Sequence, residues 1–196
     1  MSKARVAILI SGRGSNMEAL IRAAQASDYP AEIVGVFSNI PEAAGLETAR
    51  AHGLATAARH HRDFPTKPAF EAALEAQLTA WGTEYVALAG FMRLLSAEFT
   101  TRWQGRLINI HPSLLPLYRG LHTHEQALAA GARDHGCTVH FVTPGMDEGP
   151  VIAQARVPVM PGDTPETLAA RVLTAEHQLY PEALARLVRG EVVFPG

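Results

Sequence analysis

Short apolar runs alternate with amphipathic stretches through the first 110 residues, and few folds accept that pattern. Residues 5–10 form a first strand, followed by the turn Ser11-Gly12-Arg13-Gly14. Met17, Leu20, Ile21 and Ala24 then recur with helical period, which predicts a helix over 15–25. A strand at 33–37 and a helix at 41–52 come next, with Pro41 at the helix start and Gly53 just past its end. A longer helix over 66–81 is closed by Gly82, and 85–89 is apolar throughout, as suits a strand covered on both faces. Ser96 caps a short helix, and 107–110 is the next strand. Strands joined in this way by helices pair in parallel through right-handed crossovers.

The later elements break the alternation. A helix is expected at 124–130, strands at 137–143 and 151–159, and a final helix at Pro165–Val188. Seven residues separate the two late strands. A parallel crossover needs about a dozen, so this pair should be antiparallel. The expected fold is therefore α/β, a doubly wound open sheet that is mostly parallel, with an antiparallel pair in its C-terminal part. No repeat or linker divides it, so one domain is expected over 1–196.

Composition narrows the partners. At 47% hydrophobic residues, the chain can fill one core. Its formal charge is −2 and its basic residues are scattered, whereas a nucleic-acid binder usually carries a basic stripe. No apolar run approaches the ~18 residues that span a bilayer, and the N-terminal segment lacks a signal-peptide cleavage pattern. Cys137 is the only cysteine, which excludes an internal disulfide and fits a reducing compartment. A cytoplasmic protein acting on small molecules is expected, with no nucleic acid and no membrane. Monomer and homodimer both remain open.

The turn between the first strand and first helix lies where open parallel sheets bind ligands. Gly12 and Gly14 let the backbone approach a ligand, and Ser15 and Asn16 offer donors at a helix N-terminus, which suits a phosphate. Met17 occupies the place of a third glycine and no acid closes the second strand, so the dinucleotide fingerprint is absent. A plain connecting turn is the alternative.

Leu107-Ile108-Asn109-Ile110-His111-Pro112 is the most informative stretch. Side chains alternate along a strand, so Asn109 and His111 share a face, and Pro112 puts them at the strand's C-terminal end. An amide donor beside an imidazole can bind an oxyanion and manage a proton. Asp147 lies on the short connection between the two late strands, a loop that could swing it beside His111. A neighbouring carboxylate would favour the charged ring. Strand-end and turn roles for these three residues are the alternative. His122 and His124 lack the spacing and the third ligand of a catalytic zinc site, so no metal is expected. His135, beside Gly136, suggests a solvated turn, and Cys137 a small buried hydrophobe.

From Val6 to about Pro181 the chain resembles the phosphoribosylglycinamide formyltransferase family, the folate-dependent enzymes of purine synthesis. LISGRGSN, VFSN, AGFMRLLS, LINIHPSLLP, GLHTHEQAL, CTVHFVTPGMDEGPVIAQ and AEHQLYPEAL carry the resemblance, in that order. HPSLLP marks the wider folate formyltransferases, while the early SGxGSN and the GLHTH narrow it.

The resemblance implies 10-formyltetrahydrofolate as co-substrate, glycinamide ribonucleotide as acceptor and no metal. It implies that Gly14, Ser15 and Asn16 hold the ribose phosphate and that Asn109, His111 and Asp147 are catalytic. Met92, Arg93, Leu94 and Leu95, with Asn109 and the loop of Thr143, Pro144, Gly145, Met146 and Asp147, would form the pterin pocket. Leu173, Thr174, Ala175 and Glu176 match the segment that contacts the glycinamide. Lys67 falls where the family commonly has an arginine facing the folate carboxylates, so the charge is kept and the bidentate fork lost. Asp-Glu-Gly-Pro replaces the Asp-Gly-Gly-Pro of some relatives, and the tail after Val188 is short.

Overall fold

The structure, a computed structural model, describes residues 2–196. Seven strands form one sheet in the order β3-β2-β1-β4-β5-β6-β7. They are β1 Ala4–Ile10, β2 Ala31–Ser38, β3 Thr56–Ala58, β4 Tyr85–Leu88, β5 Leu107–His111, β6 Asp134–Phe141 and β7 Val151–Pro158. The helices are α1 Ser15–Ala24, α2 Ala44–Ala51, α3 Lys67–Ala80, α4 Ala97–Arg102, α5 Thr123–Ala129 and α6 Pro165–Val188. The first five strands are mutually parallel, and β5, β6 and β7 pair antiparallel, as the short late connection requires.

β1 shows why the sheet is covered on both sides. Val6, Ile8 and Ile10 point into a core shared with α1, α2, α5 and α6. Ala7 and Leu9 point into a second core with Phe37, Phe70, Leu74 and Trp103, which α3 and the segment following α4 close. All five are fully buried, which requires an apolar run without alternation. On the far side, Tyr180 of α6 is also fully buried, and its hydroxyl donates to the carbonyls of Leu88 (2.7 Å) and Ile108 (3.3 Å). This ties the last helix to the end of β4 and to β5 beside it.

Several expected boundaries move. β3 has no apolar run to announce it, being three residues, Thr-Ala-Ala, on the sheet edge. A single 3₁₀ turn at His61–Asp63 follows it. Pro41 lies in a turn before α2, which begins at Ala44. The largest correction concerns His135, which is fully buried inside β6 instead of sitting in a solvated turn. Gly136 beside it is needed for close approach, since a Cβ there would run into the carbonyl oxygen of Ala155 on β7. Cys137 is buried as expected, and burial pushes its thiol up to about 12. Among the described residues, no helix is long and apolar enough to cross a membrane.

Candidate active site

The strand ends of the parallel half open onto a cavity of about 910 Å³. Asn16, the 90–95 loop, Asn109, His111, His140, residues 143–147 and Glu176 all contribute to its wall. The cavity therefore brings together the two most informative stretches of the sequence.

At its floor, Asn109 and His111 occupy one face of β5, and the antiparallel register places His140 of β6 opposite Asn109. His140 is almost wholly buried, and its Nδ1 lies 2.9 Å from the Phe141 carbonyl. That contact makes Nδ1 the protonated nitrogen, so Nε2 is left to accept from the Asn109 amide at 3.4 Å. Burial holds the His140 pKa below the ordinary value, against the pull of the Phe141 carbonyl and Asp147. The amide of Asn109 is thus oriented by a neutral imidazole.

His111 is 5% exposed and has an acceptor at each nitrogen. Nε2 lies 2.9 Å from the Tyr118 carbonyl, and Nδ1 lies 3.5 Å from Asp147 Oδ2. Asp147 is held in turn, because Oδ2 accepts from the Gly120 N–H at 2.9 Å. Its Oδ1 stands 3.9 Å from His140 Nε2. Tyr118, His122 and Asp147 all have positive φ (53°, 58° and 52°), an unusual state for non-glycine residues that tends to cluster at functional sites. Glu148 points outward to Arg119 (3.0 Å), so the departure from Gly at this position bridges two loops at the cavity mouth.

The glycine turn stands at the end of β1. Gly14 is left-handed (φ +69°) and no side chain caps α1, which leaves first-turn N–H groups available. The Gly45 N–H donates to the Gly12 carbonyl (3.0 Å), and a Cβ on Gly45 would strike Ile10 at 2.6 Å. Asn16 Nδ2 donates to Glu176 Oε1 at 3.3 Å, and Asn16 Oδ1 is buried without a partner. Burial pushes the Glu176 carboxyl up to about 7, against the Asn16 hydrogen bond.

Other expected residues lie outside the cavity wall. Lys67 begins α3, Leu173, Thr174 and Ala175 occupy the turn of α6 before Glu176, and Gly14 stands beside the wall. Ser15 lines a shallower groove with Arg22 and His177. Sequence reasoning missed the placement of His140, Tyr118 and Gly120. The register of β5 against β6, read at Asn109, is the signal that would have found His140. Among the described residues, no three His, Cys, Asp or Glu side chains are grouped to hold a metal ion.

Residues 4–184, nearly the whole fold and every residue of the cavity wall, match the formyl transferase family. The chain belongs to that family.

Relatives and solved structures place this formyl transferase more closely. It is 46% identical over 187 residues to the phosphoribosylglycinamide formyltransferase of Escherichia coli, covering 95% of this chain and 88% of that protein. A phosphoribosylglycinamide formyltransferase structure from Brucella melitensis is 57% identical, with a TM-score of 0.93 over 99% of this chain and 100% of that one. A glycinamide ribonucleotide transformylase 1 structure from Symbiobacterium toebii superposes with a TM-score of 0.95 at 44% identity, covering 99% and 92%. The trifunctional purine biosynthetic protein adenosine-3 of Drosophila pseudoobscura is 50% identical over 95% of this chain, which spans only 14% of that longer protein.

Proposed function

We propose that the chain transfers the formyl group of 10-formyltetrahydrofolate to the amine of glycinamide ribonucleotide, giving formylglycinamide ribonucleotide and tetrahydrofolate. The observation that carries this reading is the convergence of Asn109, His111 and Asp147 on one cavity with Asn16 and Glu176. An amide, an imidazole and a carboxylate on one wall support a role as oxyanion donor and proton handler beside an amine-bearing phosphate ligand.

The ribose phosphate docks on the uncapped N-terminus of α1 at Gly14, Ser15 and Asn16. Glu176 and the α6 turn before it face the glycinamide. The folate's pterin enters between residues 92–95 and residues 143–147, and Lys67 offers a charge to the folate tail. The neutral amine attacks the formyl carbon and forms a tetrahedral oxyanion. Asn109 donates to that oxygen with its amide already oriented by His140.

His111 supplies the second donor. A doubly protonated ring is satisfied by Asp147 on one side and the Tyr118 carbonyl on the other, and turning Nε2 to the substrate exchanges that carbonyl for the oxyanion. The bond from carbon to folate N10 then breaks, and the proton lost by the amine ends on N10. The protein forms no covalent intermediate. Only small molecules of the cytoplasm are needed, with no nucleic acid or membrane surface, and either a monomer or a homodimer is competent.

The test is to mix the protein with both substrates and assay formylated product and free formate. Formylated amine is expected, and a correctly folded His111→Ala should lose about 10²–10³ in turnover. Release of formate without formylated product, or near-normal turnover in His111→Ala, would overturn the reading.

A further inference from the structure

The VFSN stretch at the end of β2 has no part in the mechanism above, yet its polar residues are among the most buried in the chain. Ser38 is fully buried and Asn39 is 2% exposed. Polar groups so deep need partners. Ser38 finds its partner locally, donating to the Ile40 carbonyl (2.7 Å) and accepting from the Ile40 N–H (3.0 Å). Asn39 reaches across the sheet instead. Its Oδ1 accepts from the Ser11 hydroxyl at 2.5 Å, and its amide nitrogen faces His61 Nδ1 at 3.4 Å.

A hydroxyl has one proton, so with that proton committed to Asn39 the Ser11 oxygen can only accept on its other side. It accepts the backbone N–H of Met92 at 2.8 Å. The 90–95 loop is therefore pinned to β1 and the turn after it at two points, because the Ala89 N–H also donates to the Leu9 carbonyl at 2.9 Å. Between the two pins, Gly90 turns with φ +73° and Phe91 packs into the core. Arg93, Leu94 and Leu95 are then delivered to the cavity wall.

We infer that Ser11 and Asn39 are positioning residues for the formyl-donor pocket: through the Met92 N–H they fix the backbone of the 90–95 loop. The inference rests on the proposed reading of that loop as the pterin site. A pocket selects a flat heterocycle only as well as the backbone that shapes its wall is held.

Ser11→Ala removes the acceptor of the Met92 N–H and the donor to Asn39 at the cost of one atom. Its KM for 10-formyltetrahydrofolate should rise about tenfold. KM for glycinamide ribonucleotide and kcat should stay within about threefold of wild type. Amide hydrogen exchange across 90–95 should quicken, and Ser11→Thr, which keeps the hydroxyl, should restore both readouts. Asn39→Ala frees the Ser11 proton and should give an intermediate effect.

The relay is overturned if Ser11→Ala keeps the wild-type folate KM and exchange pattern. It is also overturned if both KM values rise together in step with a fall in Tm, as a merely structural role predicts. A wild-type protein that never saturates with the formyl donor would instead sink the assignment of the pocket, and exchange across 90–95 in Ser11→Ala would still decide the relay.

Discussion

Glu176 is a carboxyl that the fold keeps from water while giving it only one weak donor, the Asn16 amide. Its pKa of about 7 makes it neutral below that pH and a carboxylate above it. A ligand that brings N–H or O–H donors prefers the carboxylate. KM for glycinamide ribonucleotide should therefore fall as pH rises from 6 to 8, as Glu176 ionises. In Glu176→Gln this step should disappear, with KM at pH 8 raised about tenfold or more, because hydrogen bonds to a charged group are the stronger ones. The substrate amine titrates alike in both proteins, so the difference between the two profiles isolates Glu176. Parallel profiles would remove it from the binding site.

At the scale of elements, the connection from β6 to β7 carries Asp147 to His111, and its two glycines serve different ends. A Cβ on Gly149 would run into the backbone carbonyl of Phe141, which cannot retreat without disturbing the ladder. A Cβ on Gly145 would meet the Glu148 side chain, most closely at its carboxylate, which can swing aside. Gly149→Ala should destabilise by about 1–3 kcal/mol, as overpacking does, and lower turnover through displaced Asp147. Gly145→Ala should leave Tm close to wild type. Thermal unfolding and initial rates on the pair check the contrast, which a similar loss in both variants would contradict.

The same elements show how far the sequence could be read. β1 and α6 announce themselves by an unbroken apolar run and a long helical period, and Asn109 and His111 by alternation before a proline. The edge strand β3 was illegible because three small residues carry no pattern. Asp134-His135-Gly136 has the composition of a turn, and only the approach of Ala155 makes it strand. His140 became part of the site through pairing with Asn109 across the antiparallel β5–β6 ladder, a relation between distant segments that local spacing does not encode.

For the molecule as a whole, the buried histidines set the acid limit. His135 is held down to about 4, first by burial and then by His124 and His111. Its Nε2 is 3.1 Å from His124 Nδ1, and burial lowers the His124 pKa as well. A histidine with a depressed folded pKa stabilises above its unfolded pKa of 6.5, and that stability drains as pH falls toward 4, because the unfolded chain binds the proton more readily. Between pH 7.5 and 4.5, His135 alone should cost about 2–3 kcal/mol. Urea unfolding at the two pH values measures it, and His135→Gln should flatten the dependence. An unchanged slope in the variant would assign the acid limb elsewhere.

The Asn16–Glu176 contact joins residues 160 positions apart. A growing chain completes β5, with Asn109 and His111, long before α6 exists to face the glycine turn. On the proposed reading, the strand-end groups beside the formyl donor are thus synthesised ahead of the Glu176 side of the cavity. Through most of synthesis the nascent chain therefore lacks one wall of its cavity, and the pocket closes only with the final helix.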